Sequence, residues 1–171
     1  GAGCVAGGGG VEVGAGLWYL GAVLEGLQVP IESQVTVFSQ SSFQSSLIST
    51  ANPRAVFFND TVAVGWVRGG TVLEVAAQDA RQGVVFYTLA QTPGPAPRLV
   101  RDNTRLACHL TWDTLGVPGF QVLTTFPLRD PNAYANGFVT DHRTPFHDRW
   151  VGGYVTGRAG RGAPLGQVEA G

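Results

Sequence analysis

Leu17, Leu20, Val23, Leu24 and Leu27 recur at intervals of three and four residues, the spacing of one helix face, and predict a short helix that Pro30 ends. Gly21 and Gly26 each cost such a helix about 1 kcal/mol relative to alanine, so packing on a sheet must hold it. Residues 35 to 90 change period. β-branched and aromatic residues dominate, and turn residues interrupt at regular intervals. "AVFFND" meets "TVAVGWV" through Asn59-Asp60, that stretch meets "TVLEVAAQ" through Gly69-Gly70, and "ARQG" leads into "VVFYTLA". The pattern predicts a four-stranded antiparallel meander. Within "TVAVGWV", Val62, Val64 and Trp66 share one face, while Ala63, Gly65 and Val67 lie opposite, where another backbone or a flat ligand could approach closely.

Beyond the meander, "QTPGPAPR" at 91–98 reads as an extended loop. "FQVLTTFPL" reads as a further strand and "RDPNAYANG" as irregular. Arg149-Trp150 and "VGGYVTG" read as a strand with Gly152-Gly153 at a bulge. The fold class expected is mainly β within an α+β frame: an antiparallel meander, a short N-terminal helix and a short helical turn at Cys108-His109. Residues 1–16 are a glycine-rich, flexible lead, 17–157 a single domain and 158–171 a glycine-rich tail.

Composition narrows the function classes. The formal net charge is −1, and all 11 basic residues are arginines spread from Arg54 to Arg161 without a cluster, which argues against a nucleic-acid partner. Apolar runs fall far short of the roughly 18 residues of a membrane span, so no transmembrane segment is expected. The chain opens at Gly1 without a basic start and an apolar h-region, as a fragment or a mature form would. "GAGC" could be the end of a lipoprotein signal with Cys4 acylated, but the preceding apolar segment is not in the sequence.

The chemistry concentrates in "RLACH", residues 105–109. In a C-x-x-C-H motif two thiols form thioethers with the vinyl groups of haem and the next histidine turns onto iron. Cys108 and His109 fill the second and third of those places, and Arg105 stands where the first cysteine would be. Alone, Cys-His is a weak signal, because buried cysteine is common. Other readings of the same residues are a zinc or non-haem iron site from the three histidines, a cysteine and Asp141, a Cys108-His142-Asp141 nucleophile, and a Cys4–Cys108 disulfide. No cysteine-hydrolase signature and no C-x-x-C occurs, and no catalytic residue is assigned.

From Leu24 to Gly157 the chain resembles a family of exported bacterial proteins that carry a single c-type haem motif. The matching stretches are "LQVPIESQVTVFSQSSFQSSLIS", "NPRAVFFNDTVAVGWVRGG", "LEVAAQDARQGVVFYTL", "TLGVPGF" and "TDHRTPFHDRWVGGYVTG". The resemblance implies a cytochrome c-like, periplasmic or otherwise exported electron-transfer domain with an unknown redox partner. Its cofactor would be haem c, held by one thioether at Cys108 with His109 as proximal ligand and Arg105 near a propionate. With no methionine in the chain, the sixth ligand would be a histidine. His142 matches the family's histidine in "TDH", whereas the position of His147 is more often acidic there. The alternative is a haem-free degenerate member acting as a structural or binding domain, in which His142 packs in a corner with Asp141 and Arg143.

Overall fold

The computed structural model describes residues 19–37, 42–49, 51–93, 97–120, 123–124 and 138–145. In chain order these contain helix α1 (Leu20–Gly26), strands β1 (Val35–Val37), β2 (Arg54–Phe58), β3 (Val62–Trp66), β4 (Val72–Asp79), β5 (Gly83–Ala90) and β6 (Val100–Arg101), helix α2 (Leu106–His109), and strands β7 (Leu123–Thr124) and β8 (Phe138–Val139). Short 3₁₀ turns occupy Ile31–Ser33, Ser45–Leu47 and Asn103–Arg105. Strands β1 to β6 form one six-stranded sheet in sequential order, every pair antiparallel, and β7 pairs with β8. The fold is therefore mainly an antiparallel β-sheet with few short helices.

The turns sit where the dipeptides predict. Between β2 and β3, Asn59 Oδ1 accepts from the amides of Thr61 and Val62, both at 2.9 Å, an Asx-type bond that replaces backbone pairing. Its Nδ2 donates to the carbonyls of Leu27 and Gln28, just past α1, so one side chain closes a hairpin and anchors a helix end. Gly69 takes φ +78° between β3 and β4. Between β4 and β5, Asp79 Oδ1 accepts from the amides of Arg81 and Gln82, and Gly83 takes φ +75°.

Strand register separates two faces. Trp66 opposes Ala55, Val64 lies between Phe57 and Val75, and Leu73 opposes Leu89, so these share one face. There they form the core with Leu20, Leu24 and Val29, while Val23, Leu27 and Tyr87 pack around them. The expected face of β3, Val62, Val64 and Trp66, is the one turned to this core. Helix α1 has no side-chain cap, and Leu20 and Leu24, four residues apart, are its buried positions. Burial of that stripe holds it, since seven residues cannot form a stable helix in water. The predicted helix thus begins at Leu20 in the described part, and Leu17 lies outside it.

The opposite face carries Arg54, Gly65, Glu74 and Phe86, and on it lies the Cys-His segment. Edge strand β6 and the bond from the Asp102 amide to the Phe86 carbonyl, 2.9 Å, lead the chain from β5 to that segment. Of the later expected strands, "FQVLTTFPL" contributes Leu123–Thr124 to β7. The strand expected at Arg149-Trp150, the lead 1–16 and the tail 158–171 lie outside the described residues. No helix among the described residues is long and apolar enough to cross a membrane.

Candidate functional site

Asp102 starts the site. Its side chain accepts from the amide of Thr104, at 3.1 Å, and from the Thr104 hydroxyl, capping the 3₁₀ turn Asn103–Arg105 that runs into α2. At about 100° per residue, Arg105 and His109 share one helix face and Cys108 lies about 60° round from Arg105. Burial follows that geometry: Arg105 is buried, His109 half-buried, and Cys108 carries an exposed, free thiol.

Arg105 is engaged beneath the segment. Its Nη2 donates to Glu74 Oε1 at 2.6 Å, its Nε reaches Asp102 Oδ2 at 3.5 Å, and its guanidinium lies 4.6 Å from the centre of the Phe43 ring. Arg54 Nη2 pairs with Glu74 Oε2, and the Ser42 hydroxyl donates to Oε1 at 3.1 Å. Arg54 stands on β2 and Glu74 on β4, so the guanidinium must cross β3. It does so over Gly65, where an added Cβ would fall 2.5 Å from Arg54 Nη2. Where a flat ligand or another backbone was expected on that side of β3, the structure has the chain's own guanidinium over Gly65.

The Glu74 side chain is 4% exposed. Burial pushes its carboxyl up, but Arg54 and the contacts from Arg105 and Ser42 outweigh this and hold it below 4.5. Burial pulls Arg54 down against the attraction of Glu74.

His109 ties α2 to the loop that ends at Gly119. Its Nδ1 donates to the Gly119 carbonyl at 2.9 Å, and its own carbonyl accepts from the Gly119 amide at 3.0 Å. Because a carbonyl only accepts, Nδ1 carries the proton and the neutral ring keeps a lone pair on Nε2. Burial holds the ring below its ordinary 6.5 against the Gly119 bond, and the charges of Arg105 and Arg54 add to the lowering. The ring lies 4.6 Å from Phe86, centre to centre. The Pro118 carbonyl accepts from the Val84 amide at 2.8 Å, which docks the base of loop 110–118 on β5.

That loop is unusually apolar at its surface. Trp112 is 97% and Leu115 89% exposed, and Leu110, Val117 and Phe120 are exposed with them. Leu115 takes φ 54°, a left-handed conformation uncommon for a branched residue. An open depression of about 680 Å³ is lined by Leu110, Thr111, Trp112, Leu115 and Gly116. Its size lies within the range of small-molecule sites.

Arg105, Cys108 and His109 thus come together in one turn. His142 lies exposed in a separate turn, where Asp141 accepts from the Arg143 amide at 2.7 Å and from Arg143 Nε at 2.8 Å. Those bonds hold the Asp141 carboxyl at about 2. Among the described residues no group of three or more His, Cys, Asp or Glu side chains could hold a metal ion. Cys4 and His147 lie outside the described residues. Sequence reasoning missed Glu74 and Arg54. Their signal was a lone carboxylate inside "VLEVA", with Gly65 opposite it in the neighbouring strand.

No family model, no curated protein and no solved structure matches the chain.

Proposed function

We propose that the chain is an exported electron-transfer domain that holds one haem c through a single thioether at Cys108, with His109 Nε2 as the protein ligand to iron. The observation that carries this reading is the bond from His109 Nδ1 to the Gly119 carbonyl, which fixes the ring and leaves a lone pair on Nε2, the arrangement in which histidines ligate metals. The donor set fits the group. An exposed thiol belongs to the residue just before that histidine, and an apolar depression opens on the neighbouring loop. The resemblance of residues 24–157 to single-haem proteins adds support. Bound there, haem would supply one-electron chemistry.

The residues have separable roles. Cys108 tethers, His109 ligates, Gly119 sets its tautomer, and Phe86 keeps the ring from turning. Arg105 donates to Glu74 and so anchors the turn, and the propionate contact expected of it rests on the resemblance alone. His142 remains the sixth-ligand candidate on the resemblance alone.

A second reading has its own observation. The side chain that replaces the first thiol is buried in an ion-paired cluster, which a haem-free domain would use simply to pin the 102–109 segment. The test is expression beside a periplasmic c-type haem maturation system, followed by acid-acetone extraction and a pyridine haemochrome spectrum. Haem that stays with the protein and shows an α-band between those of unattached and doubly attached haem supports the first reading. Complete extraction supports the second.

A further inference from the structure

Strands β1 and β6 are the outer strands of the sheet, and among the described residues each pairs on one side alone. An outer strand turns unpaired backbone groups outward, and proteins guard such an edge with charge or proline. The β6 edge is guarded, with Pro97, Arg98 and Arg101 in it or next to it. The β1 edge is not. Its Val35–Val37 reads Val-Thr-Val, and no charged residue occurs between Glu32 and Arg54.

Hydrogen bonding fixes which groups β1 presents. The Asn59 amide donates to the Val62 carbonyl at the β2–β3 turn, so alternation turns the backbone of Phe57 and Ala55 toward β3 and that of Phe58, Val56 and Arg54 toward β1. In agreement, the Phe58 amide donates to the Ser33 hydroxyl at 2.8 Å. Val35 and Val37, the register partners of Val56 and Arg54, therefore direct their backbone groups to β2, and Thr36 turns its N–H and C=O out of the sheet. Ile31, Val35 and Phe58, in or against this edge, are exposed apolar side chains.

We propose that the β1 edge joins two copies of this chain, strand to antiparallel strand, about a two-fold axis through Thr36. Each Thr36 then donates its N–H to the Thr36 carbonyl of the second copy, so both outward groups are satisfied. On the face of Arg54 and Glu74, exposed Val35 comes opposite Val37 of the second copy, and apolar surface closes over apolar surface. The two Glu32 side chains fall at opposite ends of the junction, and no two charged positions meet across it. A foreign strand would need no such symmetry, whereas this edge complements itself in donors, in side chains and in antiparallel sense. The axis stands normal to the sheet, so both Cys108-His109 segments lie on one face of the joined sheet. A junction of one short strand from each side falls below the roughly 1,200–2,000 Å² of a stable complex, so the pair forms reversibly and at high concentration. It does not depend on haem.

The test is sedimentation equilibrium of the full chain over a concentration series reaching about 1 mM, where a junction of this size becomes populated. The weight-average mass should climb from that of one chain toward that of two. Thr36→Pro removes the outward N–H and leaves the β1–β2 bonds of Val35 and Val37, a place where an edge strand accepts proline, and should hold the mass at one chain. Val35→Lys sets a charge into the apolar junction from an exposed position and should do the same, so it decides if circular dichroism shows Thr36→Pro unfolded. Val100→Lys, on the β6 edge, should pair as the wild type does. Wild-type protein at the mass of one chain throughout, a mass that climbs past two chains, doubling that persists in the deciding variant, or doubling lost in Val100→Lys overturns the inference.

Discussion

Glu74 ties together four stretches of chain: β4 on which it stands, β2 through Arg54, the turn at Ser42, and the Cys-His segment through Arg105. Removing one member of a buried ion pair costs about 3 kcal/mol, because the partner's charge is left without compensation. Glu74→Gln should lower unfolding stability by about that amount in a urea titration. The pH dependence has a definite sign. The folded-state value lies below 4.5, so the stabilisation is fully present above 4.5 and is lost as pH falls through the folded value. Wild-type protein should therefore lose stability below pH 4.5, and Glu74→Gln should lose less over the same interval. Arg105→Cys is the complementary test. Residue 105 faces Glu74, so the protein should melt earlier and, if haem is attached at Cys108 as proposed, the new thiol should form no second thioether and the haemochrome α-band should stay put. A shifted band would show that residue 105 can turn toward a vinyl group. Arg105, Cys108 and His109 were legible because their spacing is local. Glu74 and Arg54 were not, because the cluster joins Glu74 to partners 20 and 31 positions away and depends on a register that alternation alone does not fix.

At the scale of elements, two residues outside the strand interiors hold the sheet to its neighbours. Asn59→Ala removes the acceptor of the Thr61 and Val62 amides and the donor to the carbonyls of Leu27 and Gln28. At the low end of the net range, roughly 0.5 kcal/mol for each of these four bonds, the loss should be about 2 kcal/mol, and amide exchange should quicken in α1 and in the β2–β3 hairpin together. Exchange that quickens in the hairpin alone would show that α1 is held by its apolar stripe without Asn59. Gly83 combines φ +75° with close approach: an added Cβ would meet the Pro118 carbonyl oxygen at 2.3 Å. Gly83→Ala should cost at least about 1–3 kcal/mol and expose the Val84 amide, which donates to that carbonyl. The strands of the sheet's centre and the turns at Asn59 and Gly69 could be read from the sequence, since their period is two and their breakers are specific. The ends could not: β6 has two residues, too few to show a period, and its pairing with β5 is made by the path into Asp102.

Over the whole molecule, the sheet divides labour between its faces. One carries α1 and the apolar core, with Leu73 and Val64 fully buried. The other carries a charged cluster and, above it, a cysteine and a histidine beside an exposed apolar loop. Trp112 and Leu115 are displayed openly there, the kind of exposed apolar surface that marks contact with a ligand or a partner. Charge, burial and tautomer all converge on His109, whereas the proposed attachment would depend on one sulfur. Intact mass under denaturing conditions therefore tests the account most directly, comparing protein matured in a haem-c-competent periplasm with its Cys108→Ser variant. The wild-type chain should gain the mass of one haem and Cys108→Ser none. A wild-type chain at its bare polypeptide mass, in cells that mature a control cytochrome, would contradict the account and leave the ion cluster as a purely structural clasp.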